Sequence, residues 1–277
     1  MRERKVFTNF FLYLMILALC VPGFSKDKKV TCKWTASPVE IDGSKDDWTG
    51  DTLTLEKKVK VDYGFRNDSD NLYVLFIFND PKFLSTINQA GITLWFNTEG
   101  KKKKDYGIKF RTKMISADTY IALIEKEVGP LPEEKKKEIK ATPSYRIYQN
   151  EVIDKKSEDF VITGGPTAPS YKAKRGKDMI IYEFRIPLKK EEGQPVGIGT
   201  EPGKVIKIGF EWGGLTKEMR EARAKQLGDR SAQGRVRSAT GQATQERRVG
   251  SGSASLSSIR RGAKKYSFWV DLSLAQK

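Results

Sequence analysis

The sequence predicts an all-β fold: an antiparallel β-sandwich with a short helical insertion and a long disordered basic loop. Three observations predict it. Large apolar residues alternate with polar ones at period 2 in runs from residue 58 to residue 212. Asp, Asn, Gly and Pro separate the runs at short spacing, the rhythm of a two-sheet sandwich. The chain then closes on "YSFWVDLSL" (266–274), an apolar strand too short to make its own core, which must dock onto earlier strands.

The strands follow in order. "KVKVDYGFRN" places Val59, Val61, Tyr63 and Phe65 on one face, and "DSDN" after it is a turn. "LYVLFIFND" is apolar on both faces, the mark of a central strand covered on both sides. "GITLWFNTEG" turns Ile92, Leu94 and Phe96 inward and Thr93, Trp95 and Asn97 outward; "KKKK" is a solvated turn and "DYGIKFRT" returns, so the pair is a hairpin. "PLPEEKKKEIKA" has Pro first, acids early and lysines late, which suits a short exposed helix. "SYRIYQNEV" and "DFVITG" are short strands, and "GGPTAPSYKAKRGKD" is a Gly- and Pro-rich loop. "MIIYEFRIPL" sets Ile180, Tyr182, Phe184 and Ile186 inward against Ile181, Glu183 and Arg185; "KVIKIGFEW" sets Ile206, Ile208, Phe210 and Trp212 inward. In the last strand Tyr266, Phe268, Val270 and Leu272 alternate with Ser267, Trp269 and Asp271.

Charge and cysteines bound the location. "MRERK" followed by about 19 apolar residues and "PGFS" has the three regions of a secretory signal, with cleavage expected after Ser25 and a secreted or periplasmic product without a membrane span. An uncleaved anchor is the alternative, because the apolar stretch is long enough to span. A lipoprotein through Cys20 is disfavoured, since Leu19 is bulkier than the small residue such processing wants. Removal of residues 1–25 leaves Cys32 alone, with no disulfide to form. The formal charge of +16 would suggest an anionic partner. Residues 216–265, however, hold 13 Lys or Arg against 4 Asp or Glu and few large apolar residues. Such a segment cannot bury enough area to fold alone. We therefore expect one domain, 26–277, with 216–265 inserted before its last strand. That loop is solvated or meets an anionic envelope surface, and the export signal argues against nucleic acid as its partner.

The chain contains no histidine, which removes Ser-His-Asp and Cys-His nucleophile systems, His-based zinc sites and His-ligated haem. Paired carboxylates such as Glu183 and Glu211 remain, but nothing in the sequence brings them to the separation that glycoside hydrolysis needs.

"VEIDGSKDDW", "NDSDNLYVLFIFNDP", "GITLWFNTEGKKKKDYGIKF" and "IIYEFRIPL", in this order, resemble the motifs of family 9 carbohydrate-binding modules and the wider DOMON-like sandwiches. The likeness covers about 36–212 and the final strand. It implies an exported, non-catalytic module that binds a glycan or polysaccharide and requires no cofactor. An envelope scaffold or interaction module without a sugar ligand is the alternative, and a haem-binding DOMON-like domain using Met114 or Met179 a more distant one. The resemblance makes Asp42-Gly43 a tight turn and Trp48 a cover for the sandwich end. Members of the family can bind Ca2+, for which Asp42, Asp46 and Asp47 are the donor candidates, although calcium wants six to eight oxygens. The family holds a sugar between two tryptophans, where the C–H face of a pyranose stacks on the rings. Trp95 and Trp269, with Asn97 and Asp271 beside them on the polar faces, are the candidates; packing of both rings under the 115–175 stretch is the other reading.

Overall fold

A computed structural model describes residues 27–80, 83, 87–156, 160–162, 168–190, 196–215, 219–221 and 264–277. The expected signal segment 1–25 with Cys20, and most of the basic segment 216–265, lie outside the described residues. Among the described residues thirteen strands, numbered in chain order, form two sheets. One runs β1 (Lys28–Thr31), β13 (Lys265–Ser273), β12 (Val205–Gly213), β6 (Ile92–Asn97), β7 (Tyr106–Ser116), β8 (Ser144–Asp154) and β9 (Phe160–Ile162). The other runs β10 (Ser170–Arg175), β11 (Ile180–Pro187), β5 (Asn71–Phe78), β4 (Val61–Asn67) and β2 (Lys33–Trp34), with β3 (Thr54–Glu56) also paired to β4.

The inward series read from the alternation meet between the sheets. Phe76 stacks on Phe210 at 4.9 Å and Phe210 on Phe268 at 4.9 Å, while Phe110 meets Phe184 edge-on at 4.9 Å. Aromatic pairs at such separations add about 0.5–1.5 kcal/mol each beyond their buried area. The closing strand pairs antiparallel with β12 along nine residues and parallel with β1. Asn67, wholly buried, anchors the chain beyond it: its Oδ1 accepts from the Ala275 N–H at 2.8 Å and its Nδ2 donates to the Ala275 carbonyl at 3.0 Å.

One element differs from the sequence expectation, and the N-terminal crossing and two helices were not anticipated. Ser170–Arg175, expected as loop, is strand β10, because six residues pair with the otherwise free edge of β11. Cys32 is where the N-terminal strand crosses from one sheet to the other, and burial pushes its thiol far up. The middle region carries α1 (Ile87–Ala90), α2 (Ala117–Val128) and α3 (Glu133–Lys140). Helix α3 is the expected exposed helix; α2 starts at Ser116, whose Oγ accepts from the Thr119 N–H.

The "VEIDGSKDDW" stretch lies flat on the outer face of the second sheet rather than over the sandwich end. Val39 and Trp48 pack there with Tyr73, Leu75, Ile77 and Ile181 in a second apolar cluster. Glu183, 1% exposed, fixes this cover. Its Oε1 accepts from Trp48 Nε1 at 2.7 Å, and its Oε2 accepts from the backbone N–H groups of Asp42 (3.1 Å) and Gly43 (2.7 Å). Gly43 sits at φ 80°, the left-handed turn expected of Asp42-Gly43. Burial pushes the Glu183 carboxyl up to about 7, while the three N–H donors act in the opposite sense.

The Glu183 clamp makes a testable statement. Replacing Glu183 by Ala strands three buried donors and is expected to cost about 2–4 kcal/mol in urea unfolding. A carboxyl whose native pKa lies above its unfolded value of 4.5 contributes stability in full below that value and loses it as pH rises through about 7. The stability gap between wild type and Glu183→Gln should therefore narrow from pH 5 to pH 7.5; a gap that stays constant would exclude a raised Glu183 pKa.

Candidate functional site

The outer face of the first sheet carries the tryptophans singled out by the alternation. Trp269 on β13 faces Gly209 on β12, Gly209 faces Trp95 on β6, and Trp95 faces Gly107 on β7. Residues directly opposite share a sheet face, so the four make one row across four strands: Trp, Gly, Trp, Gly. A Cβ added to Gly209 would lie 2.8 Å from the Trp269 ring, and one added to Gly107 would lie 2.6 Å from Trp95 Cε3. Each indole therefore lies against the glycine of the next strand, and both lean the same way. With neighbouring strands about 4.8 Å apart, their anchor points are roughly 9.6 Å apart.

Charged bands flank the row. On one side Lys207, itself buried, bonds Asp27 at 2.7 Å and Asp271 at 2.5 Å, and Lys102 reaches Asp27 at 2.6 Å. Burial works to lower the Lys207 pKa, but the hydrogen bonds from Asp27 and Asp271 outweigh it and raise it. On the other side Glu211 pairs with Lys265 at 2.7 Å and with Lys104. Burial raises the Glu211 pKa, but the two ammonium groups hold the carboxyl below its usual range. The Lys104 ammonium also lies 5.8 Å from the centre of the Trp95 ring, a cation over an aromatic face. Beside Trp95 a cleft of about 500 Å³ is lined by Thr93, Lys109, Glu211, Arg220 and Lys265 among others.

The two rings differ in exposure. Trp269 is half-buried, whereas Trp95 is 8% exposed and its buried Nε1 has no hydrogen-bond partner among the described residues. Asn97 is also buried, and its Oδ1 accepts from the Glu99 and Lys101 N–H groups at 3.1 and 2.7 Å, so that acceptor closes the hairpin. Asp271 is on the open face but engaged with Lys207. Of the other tryptophans, Trp34 is half-buried on β2, Trp48 lies under the cover loop, and Trp212 is in the core with Nε1 donating to the Phe83 carbonyl at 2.7 Å.

The acidic candidates do not assemble. Asp42 Oδ1 accepts from the Ser44 N–H at 2.6 Å, Asp47 Oδ2 accepts from the Glu40 N–H at 3.0 Å, and Asp46 opens a 3-10 turn (Asp46–Trp48). Asp42 and Asp47 are turn-forming acceptors, and among the described residues no group of three or more His, Cys, Asp or Glu is arranged to hold a metal. The residues present do not fit a calcium site. Glu183 and Glu211 lie on the outer faces of different sheets, on opposite sides of the sandwich, and cannot act as an acid–base pair. Met179 packs with the Trp48 cluster, whereas Met114 is exposed on β7. Sequence reasoning missed Gly107 and Gly209. A glycine inside each of two strands, in "DYGIKF" and "KIGFEW", was the available signal, because mid-strand glycine often marks close approach.

This fold and face define a β-sandwich with two indoles in one row on the outer side of its first sheet, one half-buried and one buried. No family model matches the chain, and no curated protein matches it. Among solved structures it is similar to a carbohydrate binding module family 9 protein from Caldicellulosiruptor kristjanssonii, in a complex with glucose and in one with cellotriose. The identity is 15% in both cases; 66% of this chain is covered, with 77% and 75% of those chains, at a TM-score of 0.33.

The row has a direct test. Gly209→Ala places a methyl group where the Trp269 ring lies, and Gly107→Ala does the same to Trp95. Each is expected to cost about 1–3 kcal/mol and to lift its indole off the sheet. Acrylamide quenching of tryptophan fluorescence should rise in both variants; unchanged quenching would mean the rings do not rest on the glycines.

Proposed function

We propose that the chain is an exported, non-catalytic carbohydrate-binding module whose sugar surface is the Trp269–Gly209–Trp95–Gly107 row. The observation that carries this reading is the pair of indoles held against glycines, side by side, two strands apart on an outward face. Pyranose rings present C–H faces that stack on indoles, and successive rings of a linear polysaccharide can engage both. Glu211, Lys104, Asp271 and Lys207 supply donors and acceptors for the hydroxyls on either side. Lys104, 40% exposed, covers Trp95 and swings aside when a sugar enters, leaving Glu211 its second partner, Lys265. Absence of histidine and the separation of Glu183 from Glu211 favour binding without catalysis. The basic, then apolar N-terminus favours export, with the mature chain starting after Ser25.

Retention on insoluble polysaccharides and on a glycan array tests the reading. Trp269→Ala is expected to weaken retention by roughly tenfold, the worth of about 1.4 kcal/mol, with little change in thermal unfolding because the ring is half-buried. Trp95→Ala should abolish retention but also destabilise the fold by about 3 kcal/mol, since that ring is buried. Trp269 is therefore the decisive variant. Wild-type retention on no glycan, or undiminished retention of Trp269→Ala, would dismiss the proposal.

A further inference from the structure

The two sheets part at one end and leave a cavity of about 600 Å³ between β7–β8 and β10–β11, on the inner side and away from the tryptophan row. Its chemistry is graded. Ile87, Ile92, Phe110 and Tyr182 make an apolar floor continuous with the core. Tyr148, Tyr171 and Phe110 line it with aromatic surface, Tyr171 meeting Phe110 at 5.3 Å and Tyr148 at 5.0 Å, both edge-on. Tyr171 is 4% exposed and its phenol oxygen has no hydrogen-bond partner among the described residues. A buried hydroxyl without a partner is uncommon and expensive, which points to something polar that arrives there.

The mouth is cationic. Along β10 the inward series Tyr171, Ala173 ends at Arg175, and along β8 the inward series Tyr148 ends at Arg146. One arginine is thus contributed by each sheet, and both line the cavity. Both are exposed, and among the described residues neither has an ion-pair partner. Arg111 and Lys113 line the cavity as well, and the Lys172 ammonium lies 4.7 Å from the centre of the Tyr148 ring. Among the described residues, no Asp or Glu lines the cavity.

We infer that this inter-sheet cavity binds an amphiphilic organic anion: an apolar body seated on the Ile87–Phe110 floor, with a carboxylate taken by Arg146 and Arg175. The guanidinium fork matches a carboxylate in a bidentate fashion. A neutral sugar is a poor occupant, because its hydroxyls would find few partners against so apolar a floor. The carboxylate is carried on an alkyl chain or on an aromatic ring; both satisfy the same cavity. The inference is independent of the sugar-binding reading, whose residues lie on the outer face.

Isothermal titration of the mature chain with decanoate and with 2-naphthoate, beside the neutral decanol and 2-naphthol, tests it. We expect one molecule per chain of at least one anion, bound ten times or more tightly than its neutral counterpart and more weakly as salt is raised. Decanoate alone would identify an alkyl tail, 2-naphthoate alone a ring. Arg146→Ala with Arg175→Ala should weaken binding at least tenfold and leave thermal unfolding unchanged, while Trp269→Ala should bind as wild type does. Tyr171→Phe gives a second readout, with a severalfold loss of affinity. Failure of both anions to bind, neutral analogues binding equally, or full binding by the double arginine variant would each overturn the inference.

Discussion

The structure depends on covering β5 from both sides. Every residue of this strand after Asn71 is buried, alternate side chains facing the inter-sheet core and the outer face of its own sheet. A strand of this kind is stable only if both faces are shielded, and β11 and β4 beside it shield only its edges. The inner face is met by the aromatic layer of the opposite sheet. The outer face is met by residues 39–53, an irregular segment folded on itself by short-range hydrogen bonds and a 3-10 turn. Asp51 ties its end to Arg66 and Lys33, Val39 and Trp48 pack beneath it, and one buried carboxylate clamps its turn. Glu183 gathers the indole N–H of Trp48 and two backbone N–H groups from a turn some 140 residues earlier in the chain. Burying a carboxylate is costly, and three donors are what make it tolerable.

The two outer faces are consequently unlike. On the second sheet the apolar surface is sealed by a loop and serves the fold. On the first sheet indoles rest on glycines and part-buried ion pairs flank them. Aromatic faces keep their adhesion for any ligand with a complementary apolar side. The division of labour places the candidate sugar surface opposite the sealed side. It also explains why the tryptophans of one chain have such different roles: Trp48 and Trp212 are packing residues with satisfied N–H groups, and Trp95 and Trp269 are the ones laid along a surface.

The open end between the sheets follows from unequal strand lengths. β7 and β8 each run eleven residues, and their far halves extend past the partners that fill the middle of the core. Side chains there still alternate inward, so tyrosines and then arginines line a space the core does not close. Continuing a strand beyond its packing partners turns core positions into cavity positions without changing the local pattern.

The sequence alone determined the sandwich, because side-chain alternation is a local property and a packed sheet enforces it on every strand. The inward series of β4, β6, β11, β12 and β13 all stand as the alternation placed them, and so does the outward facing of Trp95 and Trp269. The tertiary structure decided everything that depends on strand order. Gly209 lies between the two tryptophans only because β13, β12, β6 and β7 are neighbours, and Glu183 holds Trp48 only because β11 lies beneath the 39–53 segment. Asp42, Asp46 and Asp47 read as a cation site in a line of text, yet the chain turns Asp42 and Asp47 toward backbone N–H groups and places Asp46 at the start of a 3-10 turn. Local pattern fixes which way a side chain points; which side chains meet is set by pairings between residues far apart in the chain, and no short stretch of sequence records them.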